Sequence, residues 1–104
     1  MTNYVRFFNG GKTLEGNVAS ICYDIDIAGE AYTSGNPKAP VYRIFAKSPR
    51  GKRIEIGVVW RKKNQYGGDY YQMTVATGYG KFHAKLGRHT GQDDDSLLAV
   101  IPWD

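Results

Sequence analysis

Residues 41–75, VYRIFAKSPRGKRIEIGVVWRKKNQYGGDYYQMTV, decide the fold. Val41–Lys47 alternates, with Tyr42, Ile44 and Ala46 on one side and Arg43, Phe45 and Lys47 on the other. Ser48-Pro49-Arg50-Gly51 has turn chemistry: proline presets φ and glycine tolerates positive φ. Lys52–Trp60 alternates again, Ile54, Ile56, Val58 and Trp60 against Arg53, Glu55 and Val59. The polar run Arg61–Gly68 ends on two glycines, and Asp69–Val75 resumes the period with Tyr71, Met73 and Val75. Period-2 runs separated by turn residues predict an antiparallel meander with one buried face.

Outward from this stretch the pattern continues. Asn3–Phe8 reads as a short strand and Asn9-Gly10-Gly11-Lys12 as a hairpin turn. Leu14–Ile27 reads as one long strand or two. Its core face is Ala19, Ile21, Tyr23, Ile25 and Ile27, opposite Val18, Ser20, Cys22, Asp24 and Asp26. Ala28–Pro40, with two prolines and two glycines, reads as a surface loop. Beyond the meander, Ala76–Gly80 is a turn and Lys81–Leu86 a strand with Phe82, Ala84 and Leu86 inward. Gly87–Asp95 is a polar loop, and Ser96–Trp103 a closing apolar strand in which Pro102 ends regular pairing. No helical stripe runs for long; at most a short helical turn fits Asp93–Leu98. The expectation is an all-β fold, a small antiparallel barrel or compact β-sandwich of about six to eight short strands, with little or no helix.

Composition narrows the class. A length of 104 residues suits one domain, residues 1–104. Apolar residues at 41% and charged residues at 23% exclude a disordered chain. No stretch has the length or apolarity of a membrane span, and Met1–Lys12 lacks the apolar centre of a signal peptide. A cytoplasmic protein without a membrane partner is therefore expected. The single cysteine, Cys22, agrees, because no internal disulfide can form. Charge is unevenly spread. Residues 41–75 hold eight cations against Glu55 and Asp69, a net +6, whereas the remainder holds six cations and eight anions. Such a basic sheet is an electrostatic footprint for a polyanion or an acidic protein surface.

The ordered segments Leu14-Glu15-Gly16-Asn17-Val18, Ala39–Phe45, Glu55–Lys62 and Gly68–Val75, with Ile101-Pro102-Trp103 at the end, resemble a family of small bacterial proteins, domain of unknown function 736. After Val75 the chain departs from the family's Asp-Asp-Pro segment with Ala76-Thr77-Gly78-Tyr79-Gly80. The resemblance implies an all-β domain and a setting on plasmids, phages or other mobile elements. It implies no activity and no catalytic residue.

Catalytic and cofactor chemistry finds little support in the residues. Gly10-Gly11-Lys12-Thr13 imitates the end of a phosphate-binding loop, but the required earlier glycine is Arg6 and a strand follows instead of a helix. His83, His89, Asp93, Asp94 and Asp95 match no metal-ligand spacing. Asp24 and Asp26 share a strand face but have no partner base. Cys22 has no companion thiol. A non-enzymatic binding protein is expected, with no catalytic residue, metal or cofactor. Its binding residues are Arg43, Lys47, Arg50, Lys52, Arg53, Arg61, Lys62, Lys63, Tyr66 and Tyr70, with Phe45 and Tyr79 beside them. Lysine and arginine contact phosphates while aromatic rings stack on unpaired bases. The expected partner is a nucleic acid, including a single strand. The alternative is a protein-binding module, for example an inhibitor of a host defence complex, docking through the same cations and tyrosines.

Overall fold

The computed structural model describes residues 3–33, 35, 39–63, 65–87 and 96–102. Eight strands follow one another in an up-and-down antiparallel meander: β1 (Tyr4–Phe8), β2 (Thr13–Ala19), β3 (Asp24–Ala31), β4 (Tyr42–Lys47), β5 (Arg53–Lys63), β6 (Asp69–Ala76), β7 (Lys81–Gly87) and β8 (Leu97–Pro102). Each strand pairs with its neighbours in sequence, and β1 pairs with β8 through Tyr4↔Ala99, Val5↔Leu98 and Arg6↔Leu97. The sheet is thus a closed barrel, which leaves no unpaired edge to template association. The residues expected at a hairpin turn, Asn9–Gly11, form one 3-10 turn between β1 and β2. Among the described residues no helix is long and apolar enough to cross a membrane.

The core is the barrel interior. Val5, Leu14, Val18, Ile27, Tyr42, Ile44, Val59, Met73, Val75, Ala84, Leu86 and Val100 pack there. Two face assignments and one loop boundary from the sequence need correction. Residues 14–27 are two strands, turned at Ser20–Tyr23 where the Ser20 amide donates to the Tyr23 carbonyl at 2.7 Å. A turn within a period-2 run reverses parity, so Val18 is buried with Ile27, and Ile21, expected in the core, stands fully in solvent at the tip. The loop expected from Ala28 begins later, because Ala28–Ala31 pair with β4 and Ala28–Glu30 with β2 as well. Gly29 permits that placement, since a Cβ there would lie 2.6 Å from Leu14 Cγ.

The third correction is in β5, which runs on to Lys63 and is bulged. Ile44 pairs with Gly57 while Phe45 pairs with Glu55, so Ile56 is an extra residue. The bulge changes the parity of the strand midway. Ile56 packs against the core, but beyond it Val59 takes the interior and Val58 and Trp60 face outward. Gly57 sits at the bend, where a Cβ would meet the Thr74 carbonyl oxygen of β6.

Aromatic rings fill one mouth of the barrel. Phe7 lies 5.5 Å from Tyr42 and 5.8 Å from Tyr71, ring centre to ring centre. The Tyr42 hydroxyl donates to the Gly11 carbonyl at 2.7 Å, tying this plug to the first turn. Burial holds the Tyr42 hydroxyl above the usual tyrosine pKa, helped by Tyr71 and opposed by Arg61. A raised folded-state value means that this contribution to stability is complete below the pKa of free tyrosine. It is lost as pH rises through the folded value. Tyr42→Phe is expected to lower stability by about 1 kcal/mol at neutral pH. It should also flatten the alkaline fall of melting temperature, as thermal melts across that range would show.

Candidate nucleic-acid interface

An up-and-down barrel places alternate turns at opposite ends. The turns at Ser20–Tyr23, Ser48–Lys52 and Thr77–Gly80 lie at one end, and the 3-10 turn and the connection from β5 to β6 at the other. The ten residues expected to bind therefore do not form one surface. Lys47, Arg50 and Lys52 stand at the first end, while Arg61, Lys62, Lys63 and Tyr66 stand at the second. β5 separates the groups by about 33 Å at the usual rise per residue.

Arg43 and Arg53 are engaged within the barrel's own surface. Arg43 Nε and Nη2 donate to the two Glu55 carboxylate oxygens at 2.9 and 2.8 Å, and Arg53 Nη2 donates to Glu30 Oε1 at 2.5 Å. The hydrogen bond from Arg43 holds the Glu55 carboxyl below its usual range and raises the Arg43 guanidinium. Both guanidiniums flank the Phe45 ring, Arg53 at 3.6 Å and Arg43 at 5.5 Å from its centre. Phe45 points outward yet is only 8% exposed, so it offers no free face to a base. Arg61 donates from Nη2 to the Tyr71 hydroxyl at 3.4 Å and turns toward the aromatic plug.

Beside this cluster runs an open groove over β1–β4. Tyr4, Glu15, Asp24 and Asp26 line it with Phe45, Lys47 and Arg53. Asn17 Nδ2 donates to Asp24 Oδ1 at 2.6 Å and to Asp26 Oδ1 at 3.1 Å, which gives the two carboxylates a structural task. The lining holds three carboxylates against Lys47 and Arg53, a balance that disfavours phosphate. Among the described residues no group of three or more histidine, cysteine or acidic side chains is placed to hold a metal. His83 faces outward with Nδ1 3.0 Å from Thr74 Oγ1; His89 and Asp93–Asp95 lie outside the described residues.

The outer face of β5–β7 is different. The register aligns Trp60, Gln72 and Lys85 across the three strands, with Lys62 and Tyr70 paired one row away. Trp60 and Tyr70 are both half-buried. As diagonal neighbours on an antiparallel pair, they stand roughly 7–8 Å apart. Each ring carries a lysine: Lys62 Nζ lies 5.9 Å from the Trp60 ring centre and Lys85 Nζ lies 5.0 Å from that of Tyr70. Every position in these two rows is neutral or cationic.

Of this constellation the sequence pattern identified Lys62 and Tyr70. The alternation groups Trp60 with Ile54 and Ile56, because nothing local signals the bulge. Lys85 and Gln72 escaped because nothing local aligns β7 with β5. The hairpin glycines and the outward phase of Lys81, His83 and Lys85 were the only signals for Lys85.

The family model for DUF736, described as proteins of unknown function, matches residues 5–103. No curated protein and no solved structure matches the chain.

Proposed function

We propose, for a chain that belongs to the DUF736 family, a non-enzymatic role in binding single-stranded nucleic acid on the outer face of β5–β7. In this reading it is a cytoplasmic protein of a plasmid, phage or other mobile element. The supporting observation is the pairing of two diagonal rings with two lysines, Trp60 with Lys62 and Tyr70 with Lys85. A cation over an exposed ring is worth only about 0.5–1 kcal/mol. An incoming base can therefore displace each ammonium, which then meets the phosphate of the same strand. Stacking of that kind needs unpaired bases, which favours a single strand over a duplex. Lys63 follows Lys62 in the strand and so has the opposite phase, with Asp69 as its cross-strand partner, while Arg50 and Lys52 lie too far away to join the track.

Titration of labelled single- and double-stranded oligonucleotides at several salt concentrations tests the proposal. Single strands should bind more tightly, with affinity falling as salt rises. Lys62→Ala with Lys85→Ala should reduce the slope of log affinity against log salt by about 1.4. No binding at low salt would overturn it. The second reading, a protein-binding module or inhibitor, draws on Tyr66, 86% exposed at the same end as Lys62 and Lys63. Tyrosines of this kind anchor protein interfaces.

A further inference from the structure

We propose that the end of the barrel formed by the turns Ser20–Tyr23, Ser48–Lys52 and Thr77–Gly80 docks on an anionic lipid surface. Ile21 enters the acyl layer, while Lys47, Arg50, Lys52 and Lys81 meet headgroup phosphates. The proposal stands apart from nucleic-acid binding on β5–β7, since it uses none of the rings and lysines of that face.

The two ends of the barrel are finished differently. At the end of the 3-10 turn, Phe7, Tyr42 and Tyr71 pack together across the interior. At the opposite end apolar groups reach the surface. Ile54, paired with inward-facing Ala46, is half exposed. Tyr23 stacks on Tyr79 with ring centres 6.2 Å apart and meets Phe82 edge-on. Tyr79 is itself exposed, and Ile21 stands fully in water at the tip of the turn from β2 to β3. Single exposed apolar residues are ordinary, but here Ile21, Ile54 and Tyr79 gather at one end.

Four cations stand at the same end. Lys47 closes β4, Arg50 and Lys52 flank Gly51, and Lys81 opens β7. All four are exposed, and none forms an ion pair with a described residue. Against them stand Asp24 and Asp26, whose carboxylates already accept hydrogen bonds from Asn17.

Apolar tips among cations match an interface whose outer layer is phosphate and whose inner layer is hydrocarbon. A nucleic acid would use the cations and leave Ile21 in water, because an aliphatic side chain offers no ring to stack on a base. A protein partner would have to be shaped around three separate turns, since interface anchors act in well-packed pockets. A fluid lipid layer needs no such fit. Tyrosine suits the boundary, with its ring in the apolar layer and its hydroxyl at the water. The sequence expectation against a membrane partner rests on the absence of a span, and a surface contact requires none.

Co-sedimentation with vesicles of phosphatidylcholine alone, and of phosphatidylcholine mixed with phosphatidylglycerol, tests the proposal. Wild type should bind the mixed vesicles and not the neutral ones, and less tightly as salt rises. Arg50→Ala with Lys52→Ala should weaken binding about 25-fold, at about fivefold for each cation near an anionic surface. Ile21→Asp should weaken it about tenfold or more. The same variant should keep its melting temperature, because a fully exposed side chain has no packing to lose. Lys62→Ala with Lys85→Ala, on the face of β5–β7, should leave vesicle binding within about twofold of wild type. An environment-sensitive dye on Cys22, the single cysteine and exposed beside Ile21, should shift its emission to the blue on the mixed vesicles. Equal binding to neutral and mixed vesicles, or binding to neither, overturns the proposal. So do losses that follow Lys62 and Lys85 instead of Ile21, Arg50 and Lys52. Each of these results leaves oligonucleotide binding untouched, since that is measured without lipid.

Discussion

Gly57→Ala is expected to destabilise the barrel by about 3 kcal/mol or more, at the upper end of the cost of overpacking. For a domain of this size that corresponds to a fall in melting temperature of more than about 12 °C. The added Cβ would run into the Thr74 carbonyl oxygen and lie 2.8 Å from the Val75 Cα. Both are backbone atoms of β6, so relief requires the two strands to part where the bulge bends β5. Gly51→Ala provides the contrast. Gly51 has φ +83° and nothing within 4 Å of its Cβ position, so the substitution costs only the strain of a left-handed residue, roughly 1–2 kcal/mol. Urea or thermal denaturation of the two variants separates the cases. Equal losses would mean that close approach at the bulge is not what requires glycine at position 57.

Trp60→Ala is expected to weaken single-strand binding about tenfold or more, and Tyr70→Ala similarly, since each base stacked on an aromatic ring contributes roughly 1–3 kcal/mol. The double variant should approach the product of the two losses if the rings hold different bases. It should fall short of the product if one base bridges them. Arg50→Ala and Lys52→Ala, at the other end of the barrel, should leave affinity within about twofold of wild type. Binding isotherms for the five variants, with circular dichroism to verify folding, decide the matter. If the losses instead followed Arg50 and Lys52, the interface would lie on the turn of Ser48–Lys52 and the face of β5–β7 would not be the site.

Much of the barrel was legible because an alternating strand needs only its own residues to declare its two faces. β4, β6 and β7 show this: Tyr42 and Ile44, Met73 and Val75, and Ala84 and Leu86 face inward as their alternation implied. Legibility failed wherever parity changed. The turn at Ser20–Tyr23 sent Ile21 into solvent, and the bulge at Ile56–Gly57 sent Trp60 outward. A strand carries no local record of a bulge, because the extra residue is defined by its partner strand. The site was affected more than the fold. Basic residues contiguous in sequence were distributed to two ends, while Trp60, Gln72 and Lys85, separated by up to 25 positions, met on one face.

The sequence by itself determined the all-β class, the antiparallel meander and most of the inward side chains, since alternation and turn chemistry are properties of short segments. Tertiary structure alone decided that the sheet closes through β1 and β8, that Arg43 and Arg53 are taken up by Glu55 and Glu30, and that the aromatic–lysine face lies on β5–β7. Closure and register are settled by hydrogen bonds and packing between residues far apart in the chain. Those energies exist only once the strands have met.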